Sequence, residues 1–207
     1  MSETVGPSPE GRLLMTSAPI YPQADPWTFD DLDRLPDGLH YEIIDGSLLV
    51  SPPPAAFHQL TAVRLLSQIE ATLPDDWVVL SPSGVDVAVS YLEPDLAIVR
   101  AEALEANPKR FAAADLLLVA EIISPSNASI DRREKPVRYA EAGIPHFWRI
   151  ELEGDRAPYL VRYGLDDSGS KYAELGTVWV DEEETVDIGF PVTLRPAEFI
   201  TLRKPRR

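Results

Sequence analysis

The chain has 207 residues, 44% of them hydrophobic and 26% charged, enough for one sizeable domain with a real core. Its formal net charge of -15 argues against a protein that coats nucleic acid non-specifically, while leaving room for a local basic groove. With no cysteine it has no disulfide, no thiolate metal ligand and no cysteine nucleophile, and no segment reaches the roughly 18 apolar residues of a membrane helix.

Residues 1–24 are rich in Pro, Ser, Gly and Thr, lack the basic start and apolar run of a signal peptide, and read as a flexible tail. Residues 25–207 then form one domain, and a cytoplasmic setting is expected. "WTFDDLDRLPDG", from Trp27, reads as a short helix capped by Thr28 or Asp30 and ending near Pro36 and Gly38. In "HYEIIDGSLLVSP" two apolar runs flank Asp45-Gly46, a strong hairpin signal. After the prolines at 52–54, apolar residues at Leu60, Val63, Leu65, Leu66, Ile69 and Leu73 recur at helical spacing.

"WVVLSPSG", "VDVAVSYLEPDLAIVR" and "LLLVAEII" read as three strands, with a polar linker over 101–115 that has room for a turn or short helix. "SPSNASIDRREKPVRYAEAG" opens with turn residues and continues as a helix from near Arg133, because Pro136 is tolerated in a first turn, to Gly143. "HFWRIEL", "APYLVRYGL", "KYAELGTVWV" and "ETVDIGFPVTL" complete the strands. The order predicts an α/β (α+β) fold, a mixed β-sheet flanked by helices.

Glu121 stands in the middle of the apolar run "LLLVAEIISPS". A charge taken out of water costs roughly several kcal/mol unless it is paired, protonated or bound to metal. Strand alternation puts Val119, Glu121 and Ile123 on one face, with Ala120 and Ile122 on the other. Asp95, just after Pro94, heads another apolar run. If the two strands are neighbours, Asp95 and Glu121 converge, and a divalent cation relieves their repulsion; oxygen-only ligation suits Mg²⁺ or Mn²⁺. The plainer alternative is an edge acid, or one paired with an arginine across the sheet. Lys135 follows Glu121 by 14 residues at the start of the predicted helix, where it can orient a water or offset phosphate charge, or stand as one more solvated helix charge.

"PD" at 94–95, an acid in the following strand and a nearby lysine resemble the PD-(D/E)xK nuclease superfamily. "YEIIDGSLLVSPPPAAFHQ", "EPDLAIV" and "VAEIISPSNASIDRREKPVRYAEAGIPHFWRIE" are together similar to the Uma-type, restriction endonuclease-like family within it, over most of residues 40–151. The resemblance implies a restriction-endonuclease-like mixed sheet, a divalent metal and phosphodiester hydrolysis. It implies Asp95, Glu121 and the backbone carbonyl of Ile122 as metal ligands, Lys135 as the catalytic lysine, and Glu42 as a further acid that binds metal directly or through water. The sequence departs from the superfamily's commonest arrangement, which keeps the lysine on the acid's own strand, where Ile123 stands.

His58, Arg132, Arg133 and Arg138 are candidate DNA contacts, arginine being suited to bidentate phosphate binding, with a surface or structural role as the alternative for each. Gln59 is a weaker candidate. His146 is expected to pack beside the sheet, Asp131 to cap the helix or pair with Arg132 or Lys135, and Tyr139 and Gly143 to serve packing and helix termination. The acidic run from Asp181 reads as a solvated loop, and the basic tail "RKPRR" as a possible aid to DNA binding. The favoured function is Mg²⁺-dependent hydrolysis of DNA. The alternatives are a nuclease-fold binding module whose acids and lysine form a buried ion-pair network, and a metal-dependent phosphoester hydrolase acting on RNA or nucleotides. A homodimer is expected if both strands of a duplex are cut, although no residue pattern shows one.

Overall fold

A computed structural model of the protein describes residues 20–21, 26–82, 84–124 and 128–202. The expected flexible tail therefore lies outside the described residues apart from Ile20–Tyr21, and so does all of the basic tail at 203–207. Ile20–Tyr21 form a short strand, β1. The first helix, α1, is Phe29–Leu32; the Asp31 carboxylate at its third position reaches back to the backbone N–H of Thr28 at 2.9 Å.

The hairpin forms where the sequence places it. Strands β2 (His40–Ile44) and β3 (Ser47–Ser51) pair antiparallel, and the two residues between them, Asp45 and Gly46, have φ of 50° and 77°. Two successive positive φ angles match the twist of the strands, which is why Asp-Gly is favoured there. Helix α2 spans Ala56–Glu70 and buries Thr61, Ala62, Leu65, Gln68 and Ile69. The buried stripe is thus displaced from the apolar positions of the sequence: Val63 is 63% exposed.

Strand β4 is Trp77–Leu80. The stretch "VDVAVSYLEPDLAIVR", read from sequence as a single strand, is three: β5 (Gly84–Val87), β6 (Ser90–Leu92) and β7 (Leu96–Arg100). Ala88, at φ 55°, turns the chain between the first two. Glu93-Pro94-Asp95 carries it from one sheet to another, with Pro94 unable to donate to a ladder. The linker holds a short helix, α3 (Ala101–Glu105), and strand β8 (Arg110–Ala112). The central strand β9 is Leu116–Ile123.

Helix α4 (Lys135–Glu141) is preceded by a π-helical turn over Ile130–Glu134, so the helical chain starts before Arg133. The wide turn has a local cause. Pro136 has no N–H for a carbonyl one turn back and its ring crowds that carbonyl, and the N–H of Lys135 bonds instead to Ile130 O, five residues back. Gly143, at φ 80°, ends the helix. Strands β10 (His146–Glu151), β11 (Tyr159–Leu165) and β12 (Tyr172–Val178) follow. "ETVDIGFPVTL" folds as a hairpin of β13 (Glu184–Asp187) and β14 (Pro191–Leu194) rather than one strand.

Two six-stranded mixed sheets result, ordered β1-β3-β2-β6-β5-β8 and β12-β11-β10-β9-β7-β4. One apolar core lies between α2, the β13–β14 hairpin and the second sheet, around Leu65, Ile98, Leu118 and Ile150. A second joins the sheets, with Ile44 and Val85 of the first meeting Val119 and Phe147 of the second beside Tyr139 of α4. A third packs α1 on the outer face of the first sheet, around Ile43 and Tyr91. Strands β9 and β10 pair parallel, so the chain must cross over between them, and that crossover is α4. The helix carrying Lys135 is in this way laid over the strand carrying Glu121. Among the described residues no helix is long and apolar enough to cross a membrane.

Candidate active site

Asp95 and Glu121 do meet. Strands β7 and β9 are antiparallel neighbours with Leu96 opposite Ala120, so Asp95, one residue earlier, stands across from Glu121. Asp95 Oδ2 accepts a hydrogen bond of 2.7 Å from the backbone N–H of Ile122 and lies 3.2 Å from Nε2 of His58. The predicted face assignment holds: Leu118, Ala120 and Ile122 belong to the α2 core and Val119 to the core between the sheets.

Lys135 lies between the two sheets. Its Nζ is 2.9 Å from Oε1 of Glu42 on β2, 3.2 Å from Oε1 of Glu121 on β9 and 3.1 Å from Oδ1 of Asp131 in the π turn. Glu121 is 2% exposed and Lys135 3%. The phenolic O–H of Tyr139 donates to Glu121 Oε1 at 2.7 Å, and the N–H of Glu93 donates to Glu42 Oε1 at 2.9 Å. Asp131, Lys135 and Tyr139 recur every four residues, and so share one helix face.

The electrostatics follow from burial and crowding. Burial raises the Glu121 pKa, Lys135 pulls it back, and Asp131, Asp95 and Glu42 push it up again, leaving it well above the ordinary carboxylate value. Burial likewise raises Glu42 and Asp131 against the pull of Lys135. For Lys135, burial favours the neutral amine, but Glu121, Glu42 and Asp131 together outweigh it and the net shift is strongly upward. Lys135 is therefore an ammonium, unsuited to acting as a base. For His58, burial lowers the pKa but the Asp95 carboxylate, with help from the Ile122 backbone, raises it on balance.

One ammonium thus faces three buried carboxylates, with Asp95 close by. The cluster is short of positive charge, and its donors are all oxygens, which fits a hard divalent cation. Among the described residues no three His, Asp or Glu side chains form a ready-made cation cage. A site using two carboxylates, a carbonyl and water is still ordinary for Mg²⁺, which keeps part of its water shell.

These groups form the floor of an open cleft of about 680 Å³ whose walls include Pro52, Pro54, Gln59, Val63, Ser81 and His40. His40, which the sequence reading passed over, stands 3.3 Å from Oε2 of Glu93, whose other oxygen accepts from Tyr91 at 2.7 Å.

The predicted DNA contacts separate. His58 lines the cleft. Arg132 is bound bidentately to Glu151, at 2.9 and 2.7 Å, and Arg138 is held by Asp45 and Glu141. Arg133 is exposed. His146 is not packed beside the sheet but belongs to it, as the half-buried first residue of β10, and burial lowers its pKa. The acidic run from Asp181 is not merely solvated: Asp181 pairs with Arg156, Glu183 with Arg195 and Glu184 with Arg162. Sequence reading under-rated Asp131 and Tyr139. Their four-residue spacing around Lys135 was the available signal.

Comparison with solved structures finds a crystal structure titled as a putative nuclease belonging to DUF820, from Anabaena variabilis ATCC 29413. The two are 18% identical, with a TM-score of 0.62 over 78% of this chain and 90% of that one, a likeness of fold. No curated protein matches. The Uma2 family model, described as "Putative restriction endonuclease", matches residues 28–195, which span the hairpin, the cleft and both sheets. The chain belongs to the Uma2 family of restriction endonuclease-like nucleases.

Proposed function

We propose that the protein is a divalent-metal-dependent endonuclease of the PD-(D/E)xK type that hydrolyses DNA phosphodiester bonds. The observation that carries this reading is the meeting of Asp95 and Glu121 across neighbouring strands, with Lys135 on Glu121, at the floor of an open cleft. Family membership supports the nuclease chemistry.

Asp95, Glu121 and the Ile122 carbonyl would hold Mg²⁺ or Mn²⁺, with Glu42 within reach of the same cluster. When bound, the cation polarises the phosphate and lowers the pKa of a coordinated water. Lys135, fixed in its charged state by three carboxylates, presents a permanent positive charge to the phosphate oxygens and steadies the charge that develops there. Tyr139 and Lys135 both fix the same Glu121 oxygen, Oε1. His58 holds Asp95 in place through Oδ2. Water oxygen forms the new bond to phosphorus and gives up its proton to bulk water through the open cleft, the bond to the departing sugar oxygen breaks, and that oxygen is reprotonated from solvent.

One observation favours a second reading. Lys135 with Glu42, Glu121 and Asp131 is also a buried ion-pair network, which a binding module would use to join its two sheets. Incubation of purified protein with supercoiled and linear DNA and with RNA, in Mg²⁺, in Mn²⁺ and in EDTA, separates the readings. DNA cleavage that needs the metal and is lost in Asp95→Ala supports the endonuclease. Cleavage of RNA alone moves the substrate. A protein inert towards all of them, with or without metal, leaves the binding module.

A further inference from the structure

Away from the cleft floor, one cluster reverses the charge balance of the rest of the surface. Glu151, at the C-terminal end of β10, has a side chain only 4% exposed and carries two guanidinium groups. Arg132 binds it with Nε at 2.9 Å and Nη2 at 2.7 Å. Arg149 Nε lies 3.0 Å from Oε1 yet makes no hydrogen bond.

In the other arginine ion pairs among the described residues, acids match or outnumber the arginines: Arg138 has Asp45 and Glu141, and Arg156 has Asp181 and Glu182. At Glu151 two arginines share one acid, with exposed Arg133 next to Arg132. In a protein of net charge -15, local positive charge in this form is unusual. Stability does not call for it, because one arginine already neutralises the buried carboxylate.

The register places this cluster beside the site. On parallel strands β9 and β10, Arg149 is the partner of Glu121 and Glu151 the partner of Ile123. Paired residues share a face, so Asp95, Glu121 and Arg149 form one row across the second sheet. At a strand spacing of about 4.8 Å, the Arg149 backbone is one strand from Glu121 and about 10 Å from Asp95. The π turn links the two clusters directly. Asp131 turns to Lys135 at the cleft floor, and the next residue, Arg132, turns to Glu151. Arg132 remains 43% exposed and Arg149 21%, and Nη1 of Arg132 takes no part in the pair.

We infer that Glu151 mounts Arg132 and Arg149 as a clamp for a nucleic-acid backbone phosphate next to the one that is cut. This inference rests on the nuclease reading and adds the direction of the substrate: the strand passes from the cleft over the C-terminal ends of β9 and β10. A fork of N–H donors held by a buried carboxylate is already oriented when the phosphate arrives, so little further ordering is needed. Glu151 is a positioning residue here, and the arginines are the contacts.

The test is the salt dependence of binding to a short labelled DNA duplex, measured by fluorescence anisotropy in Ca²⁺. The proteins compared are wild type, Arg132→Gln, Arg149→Gln, the double variant Arg149→Gln/Glu151→Gln, and Arg195→Gln as a control outside the cluster. The double variant removes the carboxylate that mounts both guanidinium groups together with one of them, and so tests the mount as well as the contact. Each lost phosphate contact should reduce the slope of log K against log salt by about 0.9. The expected result is that reduction, with weaker binding, in Arg132→Gln and in the double variant, while Arg195→Gln matches wild type. Unchanged slope and affinity in both overturns the clamp, and the nuclease reading then stands if the wild type still cleaves DNA. A wild type that neither binds nor cleaves the duplex overturns both.

Discussion

Glu121 and Lys135 meet at 3.2 Å, on a strand and a helix that pack together, with both side chains nearly out of solvent. Among the described residues the lysine is the only cation of the groups that crowd Glu121, so removing it strands Glu121, Glu42 and Asp131. Lys135→Met is expected to destabilise the protein by about 3–5 kcal/mol at neutral pH. Urea unfolding measures this. Loss of the variant's deficit on acidification, as the carboxylates take up protons, would identify stranded charge rather than lost packing as the cause.

The pH dependence of the metal-free protein has a defined sign. The folded-state pKa of Glu121 is raised above its ordinary value of 4.5, so its contribution to stability is fully present below 4.5 and is lost as pH rises through the higher folded value. Glu121→Gln removes that loss. The variant should therefore gain stability relative to wild type as pH rises above 4.5, read as a growing difference in Tm by calorimetry in EDTA. His146, whose pKa burial lowers, changes in both proteins alike and cancels in the difference.

Tyr139 is fully buried and packs in the core between the sheets, yet its O–H is spent on Glu121. Tyr139→Phe keeps the ring and loses the hydrogen bond. The expected cost is about 1.5–3 kcal/mol, in the range for a hydrogen bond to a charged group. A slower kcat at unchanged KM is expected with it, because Glu121 is no longer fixed. A variant that unfolds and turns over like wild type would reduce Tyr139 to packing.

Gly84 has a packing reason. A Cβ there would come within 2.6 Å of the Tyr91 ring, and Tyr91 anchors Glu93, which in turn faces His40 at the rim of the cleft. Gly84→Ala should cost about 1–3 kcal/mol as an overpacked site, measured by urea unfolding. Gly143→Ala instead meets no atom within 4 Å and should show only the strain of its positive φ of 80°.

What the sequence made legible was what local chemistry decides. Asp45-Gly46 could serve few purposes besides a tight turn, and an acid inside "LLLVAEII" had to meet a partner. Strand alternation then placed Glu121 on the correct face, and the order and spacing of the motifs around Asp95 and Lys135 led to the right family. What stayed hidden depended on tertiary pairing. Nothing local says that the chain changes sheets at Glu93-Pro94-Asp95, and without that change Glu42 and Glu121 do not face one lysine. The π turn was hidden because Pro136 could be accommodated by a late helix start or by a wider turn, and the sequence alone does not choose between them. Val63 shows the same limit, since helical spacing alone did not say which apolar stripe of α2 faces the core.

The most direct measurement is isothermal titration of Mg²⁺ and Mn²⁺ into the metal-free protein, alongside Asp95→Ala and Glu121→Ala. Saturable binding by the wild type that disappears in both variants is the predicted result. No binding by the wild type, either alone or with a short DNA duplex present, would contradict the account and leave the Lys135 cluster as a structural ion-pair network.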